Sequence, residues 1–466
     1  MLFSSIPFLY YFIPCVLVLY FAVPKGLKNS VLLLASLFFY AWGEPKYLIF
    51  MLAAIAQGYV FGRLIEKYHG QKRARVFLIA SVLFSLLLLG YCKYTDFFIA
   101  NFNALTGLSV PLLRIALPIG ISFYTFQILS YTVDVYRGDV PAQKNLINLA
   151  AYIAMFPQLI AGPIVRYADI EKELTQRQHS LEEAALGTRR FLIGLSKKIL
   201  IANLLGELVS IFKASGEKSV LFFWLYAIAY TLHIYFDFSG YSDMAIGLGR
   251  IFGFHFPENF RYPYISGSIT EFWRRWHISL GSWFRDYLYI PLGGNRVSRP
   301  RWFLNILIVW MATGFWHGAA WNFILWGLLF AVLLIGEKLW LLAPLKKMKV
   351  LNHLYVLFFV ILGFVLFDAS SLTEAGQTLS AMFGGAGVPL VSAESLYYLR
   401  SYAAVLGIAV IGATPLPAWL IGRIKSVRAG EAVVNLAEPL VMLALLAVCT
   451  AFLIDGSFNP FLYFRF

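Results

Sequence analysis

The chain has 466 residues, 60% of them hydrophobic and only 13% charged, with a formal net charge of +14 and a mean hydropathy of +0.72. Soluble domains run at about 45–50% apolar and about 25% charged, so a soluble globular protein is excluded and the composition is that of an all-α polytopic membrane protein. Each crossing takes about 20 residues, so about 10–12 crossings would consume nearly the whole chain and function must lie among the helices and their short connections.

Apolar spans are predicted near 6–23, 29–43, 46–65, 76–93, 145–161, 188–212, 219–236, 302–318, 320–341, 351–368, 396–412 and 433–454. The first has no basic residues before it, contains Pro14 and runs into Pro24 and Lys25 without a small-residue cleavage site. It is expected to be an uncleaved helix. Lys67, Lys72, Arg73 and Arg75 form a basic loop that reads as a cytoplasmic anchor. Counting back through two spans puts Lys25 and Lys28 on the same side and the N-terminus outside. The positive-inside rule thus accounts for the charge without nucleic acid.

Two stretches depart from ordinary spans. Residues 117–127 are broken by Pro118 and Gly120 and dotted with hydroxyls, and residues 156–164 hold Pro157 and Pro163. Both are expected to be re-entrant or interfacial pieces, since irregular backbone at membrane depth needs protein or a wet cavity to satisfy it. Residues 233–300 are the least lipid-like part of the chain, with His233, Asp237, Asp243, His255, Glu271, Arg274, Arg275, His277, Arg285 and Asp286 interleaved with aromatic residues. They read as interfacial helices or a cavity lining. Asp237 and Asp243 stand either in a polar cavity wall or at a capped helix end. After Asp455 the chain turns into an aromatic tail, 461–466. Cys15, Cys92 and Cys449 all lie in apolar segments without paired spacing and are read as packing residues.

His317 is the leading candidate for chemistry. It sits in Thr313-Gly314-Phe315-Trp316-His317-Gly318, between apolar runs, where an ionisable group is expensive and lines a cavity or finds a partner. Imidazole accepts a proton near neutral pH, so general-base catalysis and helix packing are the two readings. His277, forty residues earlier, is either a second imidazole on the same cavity or an interfacial residue. Neither histidine has Cys or carboxylate ligands at zinc-like spacing. No metal and no permanently bound cofactor is expected. Arg296 and Arg299, in the basic loop after Pro291, would serve either as phosphate ligands or as another cytoplasmic anchor. P-loop, dinucleotide, HExxH and GxSxG signatures are missing from the sequence.

Taken together, several words of the sequence resemble the membrane-bound O-acyltransferase (MBOAT) family, in its alginate O-acetyltransferase membrane-subunit branch. They are Phe39-Tyr40-Ala41-Trp42, the run 156–164, Asp237-Phe238-Ser239-Gly240-Tyr241-Ser242-Asp243, Pro257-Glu258-Asn259-Phe260, Phe272-Trp273-Arg274-Arg275-Trp276-His277, the run 285–296 and Gly314-Phe315-Trp316-His317-Gly318. The resemblance implies a single transmembrane domain over 1–466, with N-terminal helices to about 110, a tunnel and catalytic region over 111–343, and C-terminal helices from 344. It maps the family's invariant histidine onto His317 and a second one onto His277. It implies transfer of an acetyl group from a cytoplasmic thioester, acetyl-CoA, across the membrane to a polysaccharide such as alginate, with an extracytoplasmic partner protein completing the transfer. The donor's phosphates would lie near Arg296, Arg299 and Arg285, and His277, Asn322 or Trp316 would orient His317 or stabilise the oxyanion. A bacterial inner membrane is the expected location. A transporter or flippase is the alternative of another class, with peptidoglycan, cellulose or teichoic acid as alternative acceptors.

Overall fold

The computed structural model describes residues 1–160, 162–385 and 387–456, and among these every regular element is a helix. Six helices are long and apolar enough to cross a membrane: Pro45–Lys67, Lys72–Thr106, Val220–Ile251, Trp321–Lys347, Leu351–Asp368 and Arg428–Ile454. The bent pair Ala393–Ser401 and Ala403–Gly412, with 54° between its halves, makes a seventh if counted as one span. The other predicted apolar segments correspond to shorter or interrupted helices, such as Phe8–Ala22, Lys28–Gly43 and Leu146–Ala154. Hydropathy reads apolarity, and it does not distinguish a full crossing from a short buried helix. The aromatic tail predicted after Asp455 falls on 457–466, outside the described residues.

The described chain divides into two compact units, Met1–Phe191 with Ser242–Pro257, and Leu192–Tyr241 with Glu258 onward. In the first, Gln57 ties three helical turns together: it accepts from Ser81 at 3.1 Å and donates to Ser85 at 3.0 Å. Such amide–hydroxyl bonds join helices where hydrophobicity gives no preference between neighbour and lipid. The predicted break at 117–127 is confined to its first residues. Gly120 adopts φ +74°, and Ile121–Arg137 then runs as a regular helix buried along most of its length. In the 156–164 stretch the helix Phe156–Leu159 is a single turn started by Pro157, and Ala161 lies outside the described residues.

Asp237 and Asp243 are not at a helix end, and neither lines the cavity described below. Both lie inside the 32-residue helix Val220–Ile251. Arg190 reaches Asp243 at 2.9 Å in the first unit, and Lys198 reaches Asp237 at 2.5 Å in the second, with side chains 0% and 3% exposed. Glycines supply the close approach that short ion pairs need. A Cβ on Gly247 would stand 2.5 Å from the Gly187 carbonyl in the first unit, and one on Gly240 would stand 2.7 Å from the Gly194 carbonyl in the second. Seven-residue spacing on each partner keeps these glycines on one helix face.

The second unit holds the core on which the candidate site is built, with Phe272, Trp276, Phe330, Phe364 and Val360 all buried. Asp368, at the end of Leu351–Asp368, accepts from Tyr226 at 2.5 Å and from Lys213 at 2.6 Å. These bonds anchor that helix to its neighbours.

Candidate active site

Between residues 252 and 298 the chain breaks into short helices, and side-chain caps explain how they hold position. Ser268 caps the helix Ile269–Arg275 by accepting from the Glu271 backbone N–H at 3.0 Å. The buried carboxylate of Glu337 accepts from the backbone N–H groups of Ile269 at 2.5 Å and Thr270 at 2.8 Å. A carboxylate at a helix N-terminus satisfies orphan donors and complements the helix dipole. Neighbouring arginines then take different work. Arg275 bridges Glu271 at 2.8 Å and donates to the Arg261 carbonyl at 3.1 Å, whereas Arg274 is exposed on a cavity wall with no ion-pair partner among the described residues.

His277 interrupts the two short helices with φ 45° and ψ 54°, a left-handed conformation that side chains with a Cβ adopt at a cost. Asn259 holds it there. Its backbone carbonyl accepts from the Ile278 N–H at 3.0 Å, and its Oδ1 accepts from the Ser279 hydroxyl at 2.9 Å and the Ser279 N–H at 3.3 Å. Nδ1 of His277 lies 3.1 Å from the same Oδ1. His277 is 2% exposed, and burial pushes its imidazole down to about 3, so it is neutral at physiological pH.

His317 ends the helix Arg299–His317 and is 8% exposed. Its position follows from two tight glycine contacts with Trp321–Gly336. A Cβ on Gly314 would stand 2.2 Å from the Phe323 carbonyl, and one on Gly327 would stand 2.2 Å from the Trp310 carbonyl. The imidazole packs edge-on against Trp326 and Phe367, each with ring centres 5.2 Å away. Trp316 stands between the histidines, its ring centre 4.9 Å from His317 and 6.1 Å from His277.

Both imidazoles line one cavity of about 720 Å³. Its wall also carries Arg274, Arg285 and Lys338, and no carboxylate is among its lining residues. Arg285 is exposed and bound to its neighbour Asp286 at 2.6 Å. Arg296 and Arg299 are exposed and do not line this cavity. Asn322 is not on the wall either, for its amide donates to the Ala369 carbonyl at 2.8 Å. Arg274 and Lys338 are the cavity cations that sequence reasoning did not single out for this place. Arg274 stood inside a quoted motif, while Lys338 had no signal beyond being a charge in an apolar helix. Among the described residues no group of three or more His, Cys, Asp or Glu side chains is gathered that could hold a metal ion.

A buried pair of imidazoles on a cavity rimmed by cations can move a proton beside an anionic reagent. A profile of the membrane-bound O-acyltransferase family matches residues 140–373. The chain is 40% identical to the probable alginate O-acetylase AlgI of Azotobacter vinelandii over the full length of both. It is 44% identical to the corresponding protein of Pseudomonas aeruginosa, over 82% of this chain and 75% of that one. It is 35% identical to a peptidoglycan O-acetyltransferase of Helicobacter pylori, over 86% and 83%. The chain is therefore an O-acyltransferase, a multi-pass membrane protein that belongs to the membrane-bound O-acyltransferase family.

Proposed function

We propose that this protein passes an acetyl group from a cytoplasmic thioester, acetyl-CoA, to a hydroxyl on the outer face of a bacterial inner membrane, for O-acetylation of a polysaccharide such as alginate. The observation that carries the proposal is the single cavity that joins two buried imidazoles to Arg274, Arg285 and Lys338. Phosphates and pantetheine carbonyls are acceptors only, and a wall with three cations and no carboxylate suits them. An extracytoplasmic partner protein completes delivery to the polymer, and the N-terminus lies outside, in keeping with the basic loops at Lys25 and Lys67–Arg75.

In the chemical step the acceptor oxygen attacks the thioester carbonyl carbon while His317 takes the hydroxyl proton. The tetrahedral intermediate collapses with cleavage of the carbon–sulfur bond, and the proton returns from His317 to the thiolate. Base catalysis of this kind contributes about 10²–10⁴-fold. His317→Ala membranes with unchanged protein level should lose acetylation of the polymer by that factor, measured as radiolabelled acetyl transferred from acetyl-CoA. Wild-type transfer by this variant would overturn the proposal. Peptidoglycan is the second acceptor reading, favoured by the Helicobacter pylori relative, whose match covers 86% of this chain. Supplying purified polymers side by side in the same assay separates the two.

A further inference from the structure

His277 shares the cavity with His317, yet the two rings are held differently. We infer that Asn259 is a positioning residue of the acyl-transfer site, holding the Nδ1–H of His277 so that Nε2 is presented as a bare hydrogen-bond acceptor for the hydroxyl of the acyl acceptor. This rests on the acyl-transfer reading of the cavity.

The geometry fixes each atom in turn. Asn259 is fully buried, and its Oδ1 is identified as the oxygen because the backbone N–H of Ser279 donates to it at 3.3 Å and the Ser279 hydroxyl at 2.9 Å. An oxygen cannot donate, so Nδ1 of His277, 3.1 Å away, carries the proton. Nε2 is then the lone-pair nitrogen. It is buried and has no partner among the described residues. His277 lines the cavity while neither Asn259 nor Ser279 does, and Nε2 lies on the ring edge opposite Nδ1. Phe238, perpendicular to the imidazole at 4.7 Å, blocks rotation of the ring.

The charged and titratable groups around His277 leave this tautomer undisturbed. On the cavity wall they are His317, Arg274, Arg285, Lys338 and Tyr289. On the helix that carries Phe238, the adjoining Asp237 is bound to Lys198. Burial disfavours the imidazolium that proton removal would leave on His277, so that task falls to His317. A hydroxyl that donates to Nε2 is oriented for attack, and no covalent step occurs at His277.

The test is a set of Asn259 variants in the full-length protein, assayed for transfer from acetyl-CoA across pH 5–9, with melting temperature measured in detergent. Asn259→Ala frees the ring and should lower kcat by about tenfold or more with a smaller change in the donor KM, as loss of an orienting partner does. Asn259→Asp keeps size and acceptor but adds a negative charge, which favours imidazolium. His277 then protonates at Nε2 at a higher pH, and the acid limb of the rate profile should move upward by a unit or more while the melting temperature holds. A residue that only pins the loop through its backbone carbonyl would leave that limb in place. A wild-type profile and kcat in folded Asn259→Asp overturns the inference. Wild-type protein that transfers no acetyl group with any acceptor overturns the acyl-transfer reading instead.

Discussion

Two regions of this molecule hold their charged and titratable groups in different ways. Along the helix Val220–Ile251 the carboxylates meet cations: buried Asp237 binds Lys198 at 2.5 Å and half-buried Asp243 binds Arg190 at 2.9 Å. Among the described residues around the cavity, the buried Nε2 of His277 and the indole Nε1 of Trp273 have no hydrogen-bond partner and Arg274, on the wall, has no ion-pair partner. A buried group with its valences filled is scaffold, because removing its partner costs stability and little else. A buried group with one valence open is costly unless a substrate fills it. The contrast separates framework from chemistry more sharply than the number of charges in a segment.

The largest effect should come from breaking the framework. Lys198→Ala removes the cation that neutralises the buried Asp237 carboxylate, which should cost about 3–5 kcal/mol of stability. A thermal melt in detergent and the amount of folded protein in membranes measure it, while activity per folded molecule should change little. A large fall in kcat at unchanged stability would place this pair with the chemistry and break the comparison.

A middle effect lies where scaffold supports the site. Gly327→Ala drives a methyl to 2.2 Å from the Trp310 carbonyl, so the helix carrying His317 must shift. Overpacking of this kind should cost about 1–3 kcal/mol, and because the shift moves His317 it should lower kcat as well. Chemical denaturation and steady-state kinetics on one preparation check both. The smallest and most selective effect belongs to the cations. Arg274→Ala should raise the acetyl-CoA KM by about tenfold with kcat held, the mark of lost uniform binding. Arg296→Ala, outside the cavity, should stay within about 0.5 kcal/mol of wild type in stability and leave that KM unchanged. Equal KM effects from both arginines would remove the cavity's claim to the donor.

Much of the candidate site was legible before any coordinates. His317 stands out because an imidazole between apolar runs needs a reason, and His277 because it sits in an aromatic and basic word. The cations of the cavity wall were harder. Arg296 and Arg299 look suitable as a cluster, yet they project outside the cavity, whereas Arg274 looked no different from Arg275 beside it. One residue of helical phase, about 100° of rotation, sends Arg275 to Glu271 and Arg274 to the cavity. The capping carboxylate of Glu337 lies 67 and 68 residues from the N–H groups it holds, and nothing local announces it.

The sequence by itself determined the solvent, the secondary-structure class and the candidate for the reactive side chain. Hydropathy, helix content and the identity of an isolated polar group are properties that accumulate along a few turns of chain. Tertiary structure alone decided which apolar segments make full-length helices, which charges neutralise each other, which nitrogen of His277 is bare and which cations face the cavity. Those outcomes depend on residues 18 to 68 positions apart meeting within hydrogen-bond distance. Glycine contacts such as Gly314 with Phe323 bring the helices close enough for that to happen, and a one-dimensional pattern does not specify which face of a helix meets which neighbour.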